Sequence, residues 1–224
     1  ERECSIQRKY QKLLEETPSP FLDEKHRKKI IKAVEDAARF LGYESLGTFE
    51  FLVDGGRKFY FMEANTRVQV EHPITEMVYS IDLIKEQINI AAGRELDFSD
   101  DLKLNGHSIE CRINAEDPET FIPSPGKIDF LVFPGGEGVR VDSAAYCNWI
   151  IPPDYDSLVA KIAAKAPNRE EAIKKMRVAL ETTTIVGIKT NIPLHLSILS
   201  DSDFIDGKYD IQFMERFLNK KNQE

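Results

Sequence analysis

Two runs rich in aromatic and β-branched residues, Thr48-Phe49-Glu50-Phe51-Leu52-Val53 and Lys58-Phe59-Tyr60-Phe61-Met62-Glu63, flank the turn-forming Asp54-Gly55-Gly56-Arg57. Strand formers on both sides of Asp-Gly chemistry specify a β-hairpin, which commits this part of the chain to antiparallel sheet. An even loop sets Glu50 opposite Phe61, with Glu63 diagonal to Glu50 on the same face. Diagonal neighbours stand about 7–8 Å apart at the backbone, close enough for two carboxylates to meet at one cation. Glu50 also interrupts an apolar run, where a purely structural strand favours an apolar residue.

Helical periodicity brackets the hairpin. Ile30, Ile31, Val34, Ala37, Ala38 and Leu41 follow a three-and-four spacing between an N-cap at Asp23 and a C-terminal stop at Gly42. A second helix is expected from about Thr75 to Ala92, stopping at Gly93. Residues Arg94 to Gly106 lack periodicity and mark a division between residues 1–105 and 106–224. Beyond it, strands are expected at Ser108 to Ala115, Lys127 to Phe133, Gly138 to Asp142 and Leu158 to Ala164. They are punctuated by Pro123, Pro125, Gly126, Gly135, Gly136 and Pro152-Pro153. Asn168 with Glu171 resembles a capping box, Asn191 is a candidate cap for a short helix, and the tail from Asn219 is expected to fray.

With 42% hydrophobic and 30% charged residues among 224, the chain can bury a core. Its net charge of −8 argues against broad nucleic-acid or anionic-membrane binding. No apolar run approaches the roughly 18 residues of a membrane helix. Cys4, Cys111 and Cys147 are odd in number and lack metal-type spacing, which fits a reducing, cytoplasmic setting. The sequence opens on Glu1 without an initiator Met and reads as cut from something longer.

The stretch that carries chemistry is Glu63-Ala64-Asn65-Thr66-Arg67-Val68-Gln69-Val70-Glu71-His72-Pro73. In extended chain Glu63, Asn65, Arg67, Gln69 and Glu71 share a face. An edge strand with a solvated face shows the same alternation, so pattern alone leaves both readings open. Glu50, Glu63 and Asn65 make a hard oxygen set suited to Mg²⁺ with a nucleotide. Arg67 offers a fork for a planar oxyanion, and Glu71 a carboxylate able to take a proton.

Together with Gly47-Thr-Phe-Glu-Phe, Glu110-Cys-Arg-Ile-Asn-Ala-Glu-Asp and Phe121-Ile-Pro-Ser-Pro-Gly-Lys, this stretch strongly resembles biotin carboxylase of the ATP-grasp superfamily. The resemblance covers nearly the whole chain and implies an α+β fold. Residues 1–105 would be the C-terminal part of an ATP-grasp domain, an antiparallel sheet with helices, and 106–224 the biotin carboxylase C-terminal domain. The implied activity is ATP-dependent carboxylation of biotin by bicarbonate through carboxyphosphate, with biotin on a carrier protein or domain. The implied cofactors are ATP and Mg²⁺ or Mn²⁺. The implied partners are the carrier, a carboxyltransferase subunit and a second copy in a homodimer.

Mapped by motif, the resemblance makes Glu50, Glu63 and Asn65 the metal ligands. Lys12, Arg67, Gln69, the Val70 backbone and Glu71 become the bicarbonate pocket, with Glu71 the base. Arg112 becomes the residue that steadies the biotin enolate oxygen, a cation aimed at developing charge. Gln7, Tyr10, Glu50, Leu52, Glu63 and Ile211 fall at nucleotide positions. For Leu52, Met62 and Ile211 plain core packing is an equal alternative. Tyr10 departs from the family's usual His: its hydroxyl can still hydrogen-bond, but it offers no imidazole to protonate. Propensity would make Gln7 to Glu16 helical, whereas the family pattern is extended, and the resemblance implies the extended form.

His26, His72 and His195 carry no ligand assignment, and His72 is expected to close the strand. Cys111 and Cys147 are expected to be small buried residues. Arg140 matches a family region used at a dimer contact, with a solvated arginine as the alternative. No glycine-rich phosphate loop precedes Glu50, so the chain matches the C-terminal half of the enzyme and is expected not to turn over ATP alone. Two other classes remain. A non-catalytic dimerisation or interaction module would have no physical need for so many placed groups. Another ATP-grasp ligase would share the paired carboxylates but not the Arg67 to Glu71 sequence with Arg112.

Overall fold

The computed structural model describes residues 1–96 and 102–221. Its strands are β1 (Glu3–Arg8), β2 (Gln11–Thr17), β3 (Thr48–Val53), β4 (Phe59–Asn65), β5 (His107–Asn114), β6 (Gly126–Lys127), β7 (Phe130–Val132), β8 (Val139–Ser143), β9 (Ile150–Ile151), β10 (Leu158–Ala166) and β11 (Thr184–Val186). Its helices are α1 (Glu24–Leu41), α2 (His72–Tyr79), α3 (Leu83–Ala91), α4 (Arg169–Thr182), α5 (Ile192–Ile198), α6 (Ser202–Ile205) and α7 (Phe213–Lys221).

The main sheet runs β1-β2-β5-β10-β8, and every neighbouring pair is antiparallel. One face carries Leu14, Ile109, Cys111, Ile113 and Ile162. It packs against Met176 and Leu180 of α4, Leu194 of α5 and Phe213 of α7, forming the principal core. The opposite face meets α2, whose Ile74 and Val78 are fully buried. Gly106, at φ 79°, turns the chain into β5 where any Cβ would collide with the Ala166 carbonyl oxygen. The β2–β5 pairing sews the first 17 residues to the sheet of the second half.

Residues 7–16 form an extended hairpin whose turn residues Lys9 and Tyr10 both have positive φ. Local helix propensity thus loses to cross-strand pairing. Helix α1 has its expected ends: the Asp23 side chain accepts from His26 N–H, and Gly42 is left-handed. Its apolar stripe is only partly covered, with Ile30 buried but Ile31 39% and Leu41 65% exposed.

Several expectations change. The β3–β4 register is tighter than the even-loop reading, because a three-residue loop with Arg57 left-handed and a bulge after Glu50 place Glu50 directly opposite Glu63. The strand bearing Glu63 stops at Asn65, so the alternating face does not extend to Glu71. His72 opens α2 instead of closing a strand. The long helix from Thr75 is two helices, since Ser80 is left-handed and Asp82 starts α3 by accepting from Lys85 N–H. Of the unperiodic Arg94 to Gly106 stretch, residues 97–101 lie outside the described residues.

Strand expectations after Gly106 hold for β5, β8 and β10, whereas Lys127 to Phe133 divides between β6 and β7, and β9 and β11 carried no signal. Asn168 caps α4 by accepting from Glu171 N–H. The tail from Asn219 is helical as far as Lys221. Among the described residues no helix is long and apolar enough to cross a membrane.

Candidate active site

Direct opposition in the hairpin brings Glu50 and Glu63 to one amide. Asn65 Nδ2 donates to Glu50 Oε1 at 3.1 Å and to Glu63 Oε1 at 2.9 Å. Amide orientation follows the local hydrogen bonding, so a half-turn presents Oδ1 to the space between the carboxylates when a cation lies there. Among the described residues no cluster of three or more His, Cys, Asp or Glu could hold a metal. Two carboxylates and an amide nonetheless fit Mg²⁺, which takes few protein ligands and fills its shell with water and phosphate oxygens. Although the strand has ended, Arg67 folds back: one terminal nitrogen donates to Asn65 Oδ1 at 3.2 Å and the other to Val68 O at 3.1 Å.

Glu71 sits at the start of α2, 2% exposed. Its Oε1 accepts from Lys12 Nζ at 2.7 Å, and its Oε2 from Arg112 at 3.0 Å. Lys12 also reaches Glu50 Oε1 at 3.1 Å. Gln69 Nε2 donates to that same Glu50 oxygen at 2.6 Å, while Gln69 Oε1 accepts from Arg2 at 2.7 Å. Burial by itself would raise the Glu71 pKa, but the Lys12 hydrogen bond and charge, with Arg2, hold it below the usual carboxylate value. For Lys12 burial works against the charge, yet the surrounding Cys4, Glu71 and Glu50 raise its pKa. Ammonium and carboxylate are both charged at neutral pH.

Arg112 is fixed at both ends. Its guanidinium holds Glu15 through Nε at 2.6 Å and a terminal nitrogen at 2.5 Å. Its carbonyl accepts from Asn191 Nδ2 at 2.9 Å and pairs with His195 Nε2 at 2.8 Å. Asn191 makes no side-chain cap bond; its Oδ1 accepts from Asn114 N–H at 2.8 Å, so α5 anchors the backbone of β5. Lys161 Nζ, across the sheet on β10, donates to Val70 O at 2.8 Å and fixes the peptide leading into Glu71.

Lys12, Glu50, Glu63, Asn65, Arg67, Gln69, Glu71 and Arg112 therefore form one connected set, and Val70, next to Glu71 in the chain, is held by the Lys161 bond to its carbonyl. Gln7 lies on β1 opposite Lys12. Gln7, Tyr10, Leu52 and Ile211 make no side-chain hydrogen bond to that set among the described residues. Tyr10 is 96% exposed at the tip of the first hairpin. Leu52, Met62 and Ile211 are exposed, so plain core packing does not account for them. Cys111 is buried as expected, but Cys147 is exposed. The Cys4 thiol is pushed well above its ordinary pKa, first by burial and then by Glu15 and Glu71, which removes it as a nucleophile. Arg140 is not a solvated arginine: it pairs with Glu76 at 2.6 Å and Asp142 at 2.8 Å.

Sequence reasoning missed Arg2, Glu15, Lys161, Asn191 and His195. Arg2 and Glu15 flank the Cys4 to Lys12 motif and could have been found by placing both strands of that hairpin. The other three depend on strand order that no local pattern reveals.

Comparison with known proteins covers both halves of the chain. Residues 1–99 match the family model described as carbamoyl-phosphate synthase L chain, ATP binding domain, and residues 110–216 match the biotin carboxylase C-terminal domain. The biotin carboxylase of Haemophilus influenzae is 52% identical over 97% of this chain and 49% of its own length. The chloroplastic biotin carboxylase of Arabidopsis thaliana is 53% identical over 96% of this chain and 40% of its own. Among solved structures, the biotin carboxylase–β-γ-ATP complex from Campylobacter jejuni aligns with TM-score 0.94 and 49% identity, covering 96% of this chain and 48% of that one. The biotin carboxylase domain of a thermophilic 2-oxoglutarate carboxylase bound to bicarbonate aligns with TM-score 0.94 and 50% identity, covering 96% and 49%. The chain spans about half the length of the curated relatives it matches. Motif, architecture and comparison agree that it belongs to the biotin carboxylase family and comprises the later part of the ATP-grasp domain with the C-terminal domain.

Proposed function

We propose that this chain supplies the Mg²⁺, bicarbonate and biotin residues of an ATP-dependent biotin carboxylase. The observation that carries the reading is the meeting of Lys12 from β2, Glu71 from the start of α2 and Arg112 from β5, each within 3.0 Å of a partner in the set. A carboxylate kept ionised between two cations can take the bicarbonate proton, while Lys12 and Arg67 provide positive charge for the anion. Bicarbonate so activated attacks the terminal phosphate of ATP to give carboxyphosphate with ADP as the leaving group, and carboxyphosphate breaks down to phosphate and CO₂, which passes to the biotin ureido nitrogen. Arg112 faces the oxyanion that develops on biotin as that nitrogen loses its proton. Glu50, Glu63 and Asn65 would hold Mg²⁺ or Mn²⁺, which neutralises phosphate charge when bound.

Gln7, Tyr10, Leu52 and Ile211 are assigned to the nucleotide side of the same site; exposure of Leu52 and Ile211 leaves their apolar groups free to meet a base. The division between the two parts is placed near residue 105, between the two matched spans, with β1 and β2 crossing it to join the second sheet. A biotin carrier, a carboxyltransferase and a second copy of the enzyme complete the assigned partners.

The test uses the whole protein that carries this chain, assayed for bicarbonate-dependent ADP release and for transfer of labelled carbonate carbon to free biotin. Both activities are expected, together with their joint loss in E71Q. A folded protein that hydrolyses no ATP with bicarbonate and carboxylates no biotin would leave the interaction-module reading in its place.

A further inference from the structure

Behind Arg112 the sheet carries two acids that the proposed chemistry does not use. Glu15 on β2 and Glu110 on β5 are direct cross-strand partners, and both are fully buried. Directly opposed residues share a face, with Cβ atoms about 4.5–5.5 Å apart. Glu15 gives Oε1 to Arg112, but its Oε2 has no hydrogen-bond partner among the described residues. Neither oxygen of Glu110 has one.

The charged groups around the pair are committed elsewhere. Arg112, two residues from Glu110 on β5, is held by Glu15 and Glu71. Lys161 on β10 is bonded to Val70 O and paired with Asp142 at 3.3 Å. Lys12 on β2 lies between Glu50 and Glu71. From above, α2 presents Ile74 and Val78, and Glu71 at its start adds another negative charge. Two ionised carboxylates facing each other here, with three unpaired oxygens and no free cation among the described residues, would be held at heavy electrostatic cost.

We propose that Glu110 stands as a neutral acid whose hydroxyl donates to Oε2 of Glu15, so that the pair carries one negative charge and Glu15 serves as the positioning residue for Arg112. The proton placement stands on the geometry alone; its catalytic consequence rests on the function proposed above. Burial first, and then the charge of Glu15, pushes the Glu110 pKa well above the ordinary carboxylate value. Burial also pushes Glu15 up to about 7 against the pull of Arg112, as expected for facing carboxyls that share a proton. With both acids ionised Arg112 would be drawn down into the sheet; with both neutral its clamp would be released.

Two readouts test this in the whole protein. Infrared spectroscopy at pH 7 should show the C=O stretch of a buried protonated carboxyl in the wild type, lost in E110Q and kept in E71Q. For turnover, E110L removes the donor at similar volume and should lower kcat by about 100-fold, because Arg112 is misplaced. Nucleotide KM should be unchanged in E110L, and E110Q, whose amide restores the donor, should recover most of the lost rate. A band that survives in E110Q overturns the neutral acid. Loss of the band with wild-type turnover in folded E110L overturns the positioning role. A band present in the wild type and lost in E110Q, in a protein that carboxylates no biotin, upholds the acid pair and refutes only the functional reading.

Discussion

Lys12 Nζ lies 2.7 Å from Glu71 Oε1 and 3.1 Å from Glu50 Oε1, so one ammonium joins the candidate base to the candidate metal carboxylates. The first residue comes from a strand of the main sheet, and the others from a hairpin and a helix start far along the chain. Replacing Glu71 by Gln keeps shape and hydrogen bonding but removes the proton acceptor. Turnover should fall by about 10²–10⁴-fold, the usual worth of a general base, while nucleotide binding stays measurable by equilibrium titration. Unfolding of E71Q would instead assign Glu71 a structural role.

Glu63→Gln addresses the opposite end of the set. Glu63 faces Glu50 directly and shares the Asn65 amide with it. Removing one of two charged oxygens should raise the Mg²⁺ concentration for half-maximal activity by about tenfold or more, with little change in thermal unfolding, because Glu63 is exposed. A Mg²⁺ titration of activity reads the effect.

His195 makes a pH prediction. It is 0% exposed, and burial lowers its pKa from 6.5 to about 4 against the hydrogen bond to the Arg112 carbonyl. A depressed pKa means that the unfolded chain binds the proton more readily. The His195 contribution is therefore complete above about pH 6.5 and lost as pH falls toward 4, amounting to about 3 kcal/mol. Urea unfolding at pH 7 and pH 4 should show wild type losing that much more stability than H195Q; equal losses would contradict it.

Glu16 should dominate at lower pH. Its carboxylate holds His107 at 2.5 Å, Arg169 at 2.7 and 2.9 Å, and the Tyr209 hydroxyl. Burial raises its pKa, but His107 and Arg169 outweigh burial and leave it below 4.5. Its stabilisation is thus present above about pH 4.5 and disappears as pH falls through the lower folded value. E16A leaves Arg169 facing a hole and should cost about 3–5 kcal/mol at pH 7, measured by chemical denaturation.

What the sequence made legible follows from the range of each interaction. The ends of α1 and α4 were readable because Asp23 and Asn168 act on backbone three residues away. The long helix expected from Thr75 failed because its apolar stripe runs straight through Ser80, where a left-handed residue and a new cap at Asp82 break the axis. Glu50 and Glu63 were paired correctly but a register step too far apart, since a bulge is invisible in composition. Glu71 was picked out on a strand face it does not occupy; helix α2 carries it to the same neighbourhood by another route. Arg112 needed the motif resemblance; of its supports, Glu15 lies on the first hairpin beside the Lys12 motif, whereas Asn191 and His195 needed the sheet order β2-β5-β10 with α5 behind it.

The central claim is that Lys12 and Glu71 act as one unit, and a double-mutant cycle on turnover tests it most directly. The variants K12M, E71Q and the double variant would be assayed for kcat in the whole protein under saturating ATP, Mg²⁺ and bicarbonate. Residues that share one function are strongly non-additive, so the double variant should be no slower than the worse single variant within about threefold. A double variant slowed by the product of the two single effects would show that the two residues act independently, and would contradict the account.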